Sequence, residues 1–536
     1  MDFKRRTYRS DRLNTFAVRH IRDRQKDSSK ILEILKKIFS YKLLTPRNAI
    51  IGSIIVACVL LFMAYNLIQG VKLRNVVFSF GKDLAEDQYG HTNILLLGTG
   101  GGNHEGADLT DTIILASIDQ KTNQATLLSI PRDLYIEDLP NKKFSGTRIN
   151  NLYHIGKNEL GDEELGLKML RDQIKIITNM DVHYFVKVEF AGFKEMVDAL
   201  GGVDINVPNT IIDTEYPIGE SQGYETFALQ AGMQHLDGET ALKYSRSRHS
   251  TNDFDRSKRQ QLVIYAMKEK AEKMGILSDS GKVKSLYDSL GKYMETDLSV
   301  REIITLAKIG TQIKQDQIAT YTIHDDPTKC GGLLYTPLRE LYGGASVLIP
   351  AAPKYEDIHR LTDIVLNHPE FKNSNIKLQI LNGTKGLGIA AETKIILNRI
   401  CLNVARFGNG QSKNVTKTTY YLKSEIPQSA LDALQELIPG EISHTPPQKY
   451  LDIPYASEAQ IIVEIGQDYL AHKLKDPYDG IVDLIPKATS APITGEATGK
   501  TATTTTKTAS GSKTTPVKTT SPTATSKAST TTTKKP

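Results

Sequence analysis

The chain has 536 residues, a formal net charge of +6, 39% hydrophobic and 24% charged residues, which is a globular composition on a chain too long for one typical domain. Its basicity sits at the ends: residues 1–48 hold 14 Lys/Arg against 5 Asp/Glu, residues 488–536 hold 7 Lys against one Glu, and the region between is left at −9. An acidic body argues against a nucleic-acid groove, and three cysteines without a CxxC or accompanying His spacing argue against a zinc site.

Residues 1–48 form a basic segment in which Ile31, Ile34, Leu35 and Ile38 recur at helical spacing. An interfacial helix on anionic lipid and a helix with no particular partner fit this pattern equally. Residues 49–68 (AIIGSIIVACVLLFMAYNLI) carry no charge and match the roughly 20 apolar residues that cross a bilayer. The run is too long and too deep in the chain for a cleaved signal peptide. Arg and Lys crowd its N-terminal side, so the expectation is an uncleaved transmembrane signal anchor with a cytoplasmic N-terminus and an extracytoplasmic bulk. Residues 69–91 read as a juxtamembrane linker.

From residue 92 strand-like and helical segments alternate, which predicts an α/β layer structure with a buried sheet. Strands are expected at 94–97, 113–118, 125–130 and 184–188, helices at 165–177 and 192–200, and mostly helix over 265–318. A first domain is drawn at 92–350 and a linker at 351–374, with a helix from Asp357. A second small α/β domain spans 375–470, with strands at 377–381, around Tyr420, and at 460–464, and helices at 390–402 and 427–437. Residues 471–487 form a linker. Residues 488–536 are Thr, Ser, Ala, Lys and Pro with little to bury, and are expected to be disordered. Cys330 and Cys401 could pair as a disulfide or remain separate thiols.

Two clusters carry most of the body's arginine motifs. The first runs Asp108-Leu109-Thr110-Asp111-Thr112, then Ser129-Ile130-Pro131-Arg132-Asp133, then Arg148-Ile149-Asn150; the second runs Tyr244-Ser245-Arg246-Ser247-Arg248, Asp253-Phe254-Asp255-Arg256 and Arg259-Gln260-Gln261. Arg binds phosphate oxygens bidentately and stays charged. If the second segment is extended, Arg246 and Arg248 share a face and suit a pyrophosphate. Carboxylates of the first cluster would hold Mg²⁺ beside substrate phosphates, giving a clamp for phosphoryl transfer. Solvated arginine faces and structural ion pairs, Arg132–Asp133 among them, are the competing interpretation. The loop 98–102 is neither a Walker loop nor a GxGxxG, and no GxSxG or HExxH occurs.

The segments NILLLG, DTIILASID, LLSIPRDLYI, RINNLYHIG, FVKVEFAGFKEMVDALGGVDINVP, LDGETALKYSRSR and DRSKRQQ, in that order after an apolar anchor, resemble the LytR-CpsA-Psr family. IKLQILNGT, KGLGIAAE and VEIGQDY resemble its LytR-type C-terminal domain. The resemblance implies a mixed central sheet flanked by helices and a membrane-anchored phosphotransferase. Such an enzyme moves a glycopolymer from a polyprenyl-pyrophosphate carrier to peptidoglycan with Mg²⁺ or Mn²⁺, in cell wall biogenesis. It assigns Arg132, Arg148, Arg246 and Arg248 to the pyrophosphate, Arg256 and Gln260 to the segment that closes the site, and Asp111 to the metal. Asp253 is the candidate base. Two positions depart from the family pattern. Thr99-Gly100-Gly101 stands where an Asp is usual, with Asp108 a candidate replacement as metal ligand, and Leu109 stands where an Arg is usual. A polyprenyl-pyrophosphate hydrolase and a non-catalytic glycan-lipid binding or scaffold protein are the alternative functions.

Overall fold

The computed structural model describes residues 84–102, 106–137, 146–218, 223–247 and 253–481, apart from the side chains of Asp253 and Gly480. The expected membrane anchor, the basic segment, most of the juxtamembrane linker and the Thr/Ser-rich tail lie outside the described residues. Among the described residues no helix is long and apolar enough to cross a membrane.

The first strands are β1 (His91–Thr99), β2 (Thr112–Asp119) and β3 (Gln124–Ser129), followed by a short ribbon of β4 (Tyr135–Ile136) and β5 (Thr147–Arg148). Helix α1 (Glu163–Thr178), β6 (Tyr184–Glu189) and α2 (Phe190–Ala199) come next. Asp162 caps α1 by accepting from the Leu165 amide at 3.1 Å, which satisfies one of the first-turn donors that no helical carbonyl reaches. Two antiparallel pairs follow, formed by β7 (Val203–Val207) with β10 (Gly232–Leu236) and β8 (Ile211–Pro217) with β9 (Tyr224–Leu229). Then come α3 (Gly238–Arg246), α4 (Asp253–Lys273), α5 (Ser280–Leu290), β11 (Met294–Thr296), α6 (Val300–Gln312) and β12 (Ile318–Thr322).

The main sheet has the order β11-β6-β1-β2-β3-β12. It is mixed: β1 runs parallel to β6 and antiparallel to β2, and β3 runs parallel to β12. β1 is apolar on both faces, as a strand covered on both sides must be. Alternate side chains supply the two cores. Leu95, Leu97, Ile113 and Leu115 face α1 with Leu170, Ile174 and Ile177. Ile94, Leu96 and Ile114 face the opposite layer with Ile264 of α4 and Ile303 and Leu306 of α6. A separate core joins β7–β10 to α3 and α4 through Val203, Phe227, Tyr244 and Val263. The mixed sheet flanked by helices is as expected, and strands and helices named from the sequence fall within a few residues of their observed bounds. The two strand pairs over 203–236 had no counterpart in the sequence reading.

A short β13 (Leu334–Tyr335) pairs with β14 (Ile349–Pro350), and α7 (Glu356–Thr362) leads into the second lobe. That lobe comprises β15 (Lys377–Asn382), α8 (Ile389–Arg399), β16 (Asn403–Asn409), β17 (Thr419–Leu422), α9 (Gln428–Leu437), β18 (Glu441–Ser443) and β19 (Ile461–Ile465). Its sheet order is β16-β15-β19-β17-β18. The stretch 351–374, drawn from sequence as a linker, is packed: Ile358, Leu361, Ile364, Val365, Leu366 and Phe371 are buried in a core continuous from Leu95 of the first lobe to Leu434 of the second. Cys330 and Cys401 form a disulfide. Beside it, Arg399 binds Asp476 through both terminal nitrogens at 2.5 and 3.2 Å and donates to the Pro327 carbonyl at 2.7 Å. The Tyr478 hydroxyl donates to the carbonyls of Gly332 and Leu334 at 3.1 and 2.6 Å.

Candidate functional site

The first cluster assembles at the C-terminal end of β1, where Gly98 pairs with Thr112. Asp111 immediately precedes β2. Its Oδ1 accepts from Arg132 Nη1 at 2.6 Å and from Asn150 Nδ2 at 3.2 Å. The loops carrying these residues are locked by main-chain bonds, Thr110 N to Asn150 O at 3.1 Å and Asn150 N to Arg132 O at 3.3 Å. Three segments far apart in sequence therefore set one carboxylate. Burial pushes the Asp111 carboxyl up, but the Arg132 charge and bond, the Arg256 charge and the Asn150 bond outweigh it and hold it below its ordinary value.

Arg148 lies on β5 directly across from Tyr135 and donates to Asp133 Oδ1 at 2.9 Å, with nearly half its side chain exposed. Arg132 also approaches Asp133, its Nε 3.7 Å from Oδ2. Asp133 thus stands between two guanidinium groups and fixes their separation. The ion pair considered from sequence is present, and it coexists with the Asp111 contact.

Arg246 is the last residue of α3, so the extended geometry assumed for Arg246 and Arg248 does not hold at Arg246. Its guanidinium lies 4.3 Å from the Phe190 ring centre and 5.6 Å from that of Tyr216, and donates to the Tyr216 hydroxyl at 3.2 Å. Stacking on two rings orients a guanidinium while leaving donors for an anion. Just beyond, Ser247 Oγ donates to buried Asp213 at 2.8 Å, and Arg259 binds the carbonyls of Tyr244 (at 2.9 Å) and Ser247, pinning the end of α3. Arg248 lies outside the described residues. Asp253 opens α4, and its side chain is likewise outside them.

From α4, buried Arg256 reaches the Asp111 carbonyl at 3.5 Å. Gln260 donates to Thr112 Oγ1 at 2.9 Å, tying the helix to β2. Arg132, Arg256 and Gln260 are thus all linked to Asp111 or its neighbour Thr112.

Asp108 is engaged on another side. Its oxygens take Lys157 Nζ at 2.7 Å and Asn158 Nδ2 at 2.8 Å, and these bonds hold its carboxyl below the ordinary value against the opposing pull of burial. Lys157 also lies 3.6 Å from Glu163. Glu163 accepts from Tyr153 and from buried Lys187, and Lys187 reaches Glu295 at 2.7 Å. Burial pushes the Glu163 carboxyl up, but these donors bring it down to about 2. Another carboxylate lies near the β1 loop. Glu189 ends β6 opposite Thr99, and its carboxylate fills the space that a side chain on Gly101 would need. Gly101 has φ +67°, which favours glycine there.

Among the described residues no group of three or more His, Cys, Asp or Glu could hold a metal by itself. Asp111 fits a different kind of cation site. Both its side-chain contacts fall on Oδ1, leaving Oδ2 for a hard cation of the sort that completes its shell with water and substrate phosphate. Phe190, Tyr216 and Glu189 were not singled out from sequence, and Asn150 was named there only as part of Arg148-Ile149-Asn150, without a role. Asn150 sits two residues from Arg148 in the same motif, whereas the others meet the site only through the fold.

Similar proteins carry related names. A polyisoprenyl-teichoic acid–peptidoglycan teichoic acid transferase TagU of Enterococcus faecalis is 29% identical over 234 residues, 42% of this chain and 69% of the relative. A TagU of Bacillus cereus is 32% identical over 219 residues, 40% of this chain and 63% of the relative. Across the first three relatives the match spans 51% to 69% of their length. The crystal structure of B. subtilis TagV is 22% identical, with a TM-score of 0.41, over 52% of this chain and 99% of that one. The model of the LytR_cpsA_psr family matches residues 66–355, more than half of the sequence, and the chain belongs to that family.

Proposed function

We propose that this chain is a membrane-anchored phosphotransferase that moves a glycopolymer from a polyprenyl-pyrophosphate carrier to peptidoglycan. The observation that carries this reading is the convergence of Arg132, Arg256 and Asn150 on Asp111, a preorganised positive site around one carboxylate. The relatives named as teichoic acid transferases support the substrate class. Arg132, Arg148 and Arg246, with Arg248, bind the pyrophosphate oxygens, and Arg256 and Gln260 hold the wall behind them. Fixed donors aimed at developing phosphoryl charge supply most of the catalysis in such reactions. Asp111 would hold Mg²⁺ (or Mn²⁺), and the ion would neutralise phosphate charge; Asp108, the second candidate ligand, is engaged by Lys157 and Asn158. The acceptor hydroxyl oxygen bonds to the glycan-side phosphorus, the bond from that phosphorus to the bridging oxygen breaks, and polyprenyl phosphate leaves. The hydroxyl proton passes to a base, for which Asp253 is the candidate.

Residues 49–68 anchor the protein, with residues 1–48 in the cytoplasm and the body outside. The disulfide Cys330–Cys401 supports that side, since such bonds persist in oxidising compartments. The test is incubation of the full chain with a polyprenyl-pyrophosphate glycan and peptidoglycan fragments, with Mg²⁺ or EDTA, and product identification by mass. A metal-dependent phosphodiester between glycan and peptidoglycan is expected. Release of free glycan phosphate would make it a hydrolase, and binding without turnover would make it a scaffold.

A further inference from the structure

Two cavities lie away from the arginine cluster and meet at one residue. The nearer, about 540 Å³, is lined by Tyr135, Glu137, Gln173, Lys354, Tyr355 and His359 among others. The farther, about 600 Å³, sits between the lobes, with Gln88, Tyr89, Arg360 and Asp363 on one side and Glu436 and His472 on the other. His359 lines both and is held by its bond to the Ile176 carbonyl at 2.9 Å. Tyr135 faces Arg148 across the β4–β5 ribbon, and directly opposed residues present their side chains on one face. The groove therefore starts beside a pyrophosphate-binding arginine, follows the C-terminal half of α1, and ends at the second lobe.

Its chemistry is that of a saccharide site. Tyr135 and Tyr355 offer ring faces and hydroxyls, and Gln, Asn and His side chains offer paired donors and acceptors. Asn367 lines the farther cavity, its Nδ2 donating to Asp363 Oδ1 at 2.8 Å. The charges nearly cancel: Lys354 and Arg360 stand against Glu137, Asp363 and Glu436. Arg360 is already paired with Asp357 at 2.6 Å and Asp363 lies 3.7 Å from His368. A groove with no net positive charge does not attract a polyanion. Lys354 and Tyr355 adopt φ of +51° and +60°, a left-handed turn of two non-glycine residues that costs free energy and is typical of ligand-binding positions.

We propose that this groove binds a neutral linear saccharide strand of several residues, the acceptor glycan, and that the second lobe supplies its far wall. The proposal rests on the transferase reading only for the name of the strand, and its test reads binding without turnover. Chitooligosaccharides of two to six units are titrated into the full chain in detergent by calorimetry. Affinity is expected to rise about tenfold or more with length as successive subsites fill. Tyr135→Ala is expected to weaken every length. A double variant, Glu436→Gln with His472→Ala, at two exposed positions, is expected to remove the gain of the longer strands. It should leave the melting temperature and the affinity for the two-unit saccharide unchanged. Arg246→Ala should keep saccharide binding while losing transfer, so failure of the catalytic reading and failure of the groove give different results. Absence of binding, affinity independent of length, or competition by poly(glycerol phosphate) at equal affinity would overturn the proposal.

Discussion

The Arg132 guanidinium donates to Asp111 Oδ1 at 2.6 Å, so the residue proposed to bind phosphate and the residue proposed to hold the metal are each other's partner. The pair stores no unsatisfied charge, and a substrate phosphate with its cation can divide it into two separate contacts. Asp111→Asn should therefore reduce transfer by about 10²–10³, the cost of losing one preorganised electrostatic group, while the melting temperature shifts little. Activity within tenfold of wild type, measured by mass-resolved product formation, would remove Asp111 from the site.

Glu163 gives a pH signature. Its carboxyl is held at about 2 against an ordinary 4.5, with its partners outweighing burial. A depressed carboxyl contributes stability that is fully present above its unfolded value and lost as pH falls through its folded value. Stability should thus decline between about pH 4.5 and pH 2. In Glu163→Gln that decline should be shallower, read by urea denaturation at several pH values.

Lys187 is buried between Glu163 and Glu295, at 3.2 and 2.7 Å. Lys187→Met leaves two carboxylates facing each other. Breaking a fully buried pair costs about 3–5 kcal/mol, and because both carboxylates are more than a third exposed the expected loss is nearer 2 kcal/mol. Denaturant melts check this.

Phe190 positions Arg246 by stacking at 4.3 Å. Phe190→Leu keeps an apolar side chain and removes the ring, and should raise KM for the polyprenyl substrate about 2–30-fold, the equivalent of about 0.5–2 kcal/mol of cation–π interaction, with a smaller change in kcat. Arg246→Ala should lower both kcat and kcat/KM.

The Cys330–Cys401 bond closes a separation of 71 residues. Cys401→Ser should cost about 3 kcal/mol under oxidising conditions and nothing further on adding reductant. An equal response of both proteins to reductant would show the bond to be absent in solution.

Much of this was legible in the sequence because it is periodic or local. The apolar run of β1 and the amphipathic α1 announce themselves within a few residues, and Asp111, Arg132 and Arg148 stand in compact motifs. What escaped depends on segments far apart. Nothing near Arg246 signals that Phe190 and Tyr216 will sandwich it, or that its segment closes a helix rather than extending. Asp108 was the candidate for the missing carboxylate because its loop directly follows β1. Lys157 and Asn158, some 50 residues away, occupy it instead. Within the stretch 351–374 the expected helix from Asp357 is present as α7, but nothing in the sequence shows that Ile358, Leu361 and Ile364 pack into the core of both lobes.

The second lobe leaves the first near Ile358 and returns to it at Tyr478, whose hydroxyl clasps Gly332 and Leu334. An appendage joined once can pivot; one fastened at entry and exit, with a disulfide alongside, moves only if a fastening opens. Its position along α1 is then built in rather than selected on binding, and whatever occupies the space between the lobes meets a wall already in place. A chain cut at residue 355, where the family match ends, would expose the apolar face that Ile358, Leu361 and Ile364 now cover. Its expected fate is aggregation rather than a smaller working enzyme.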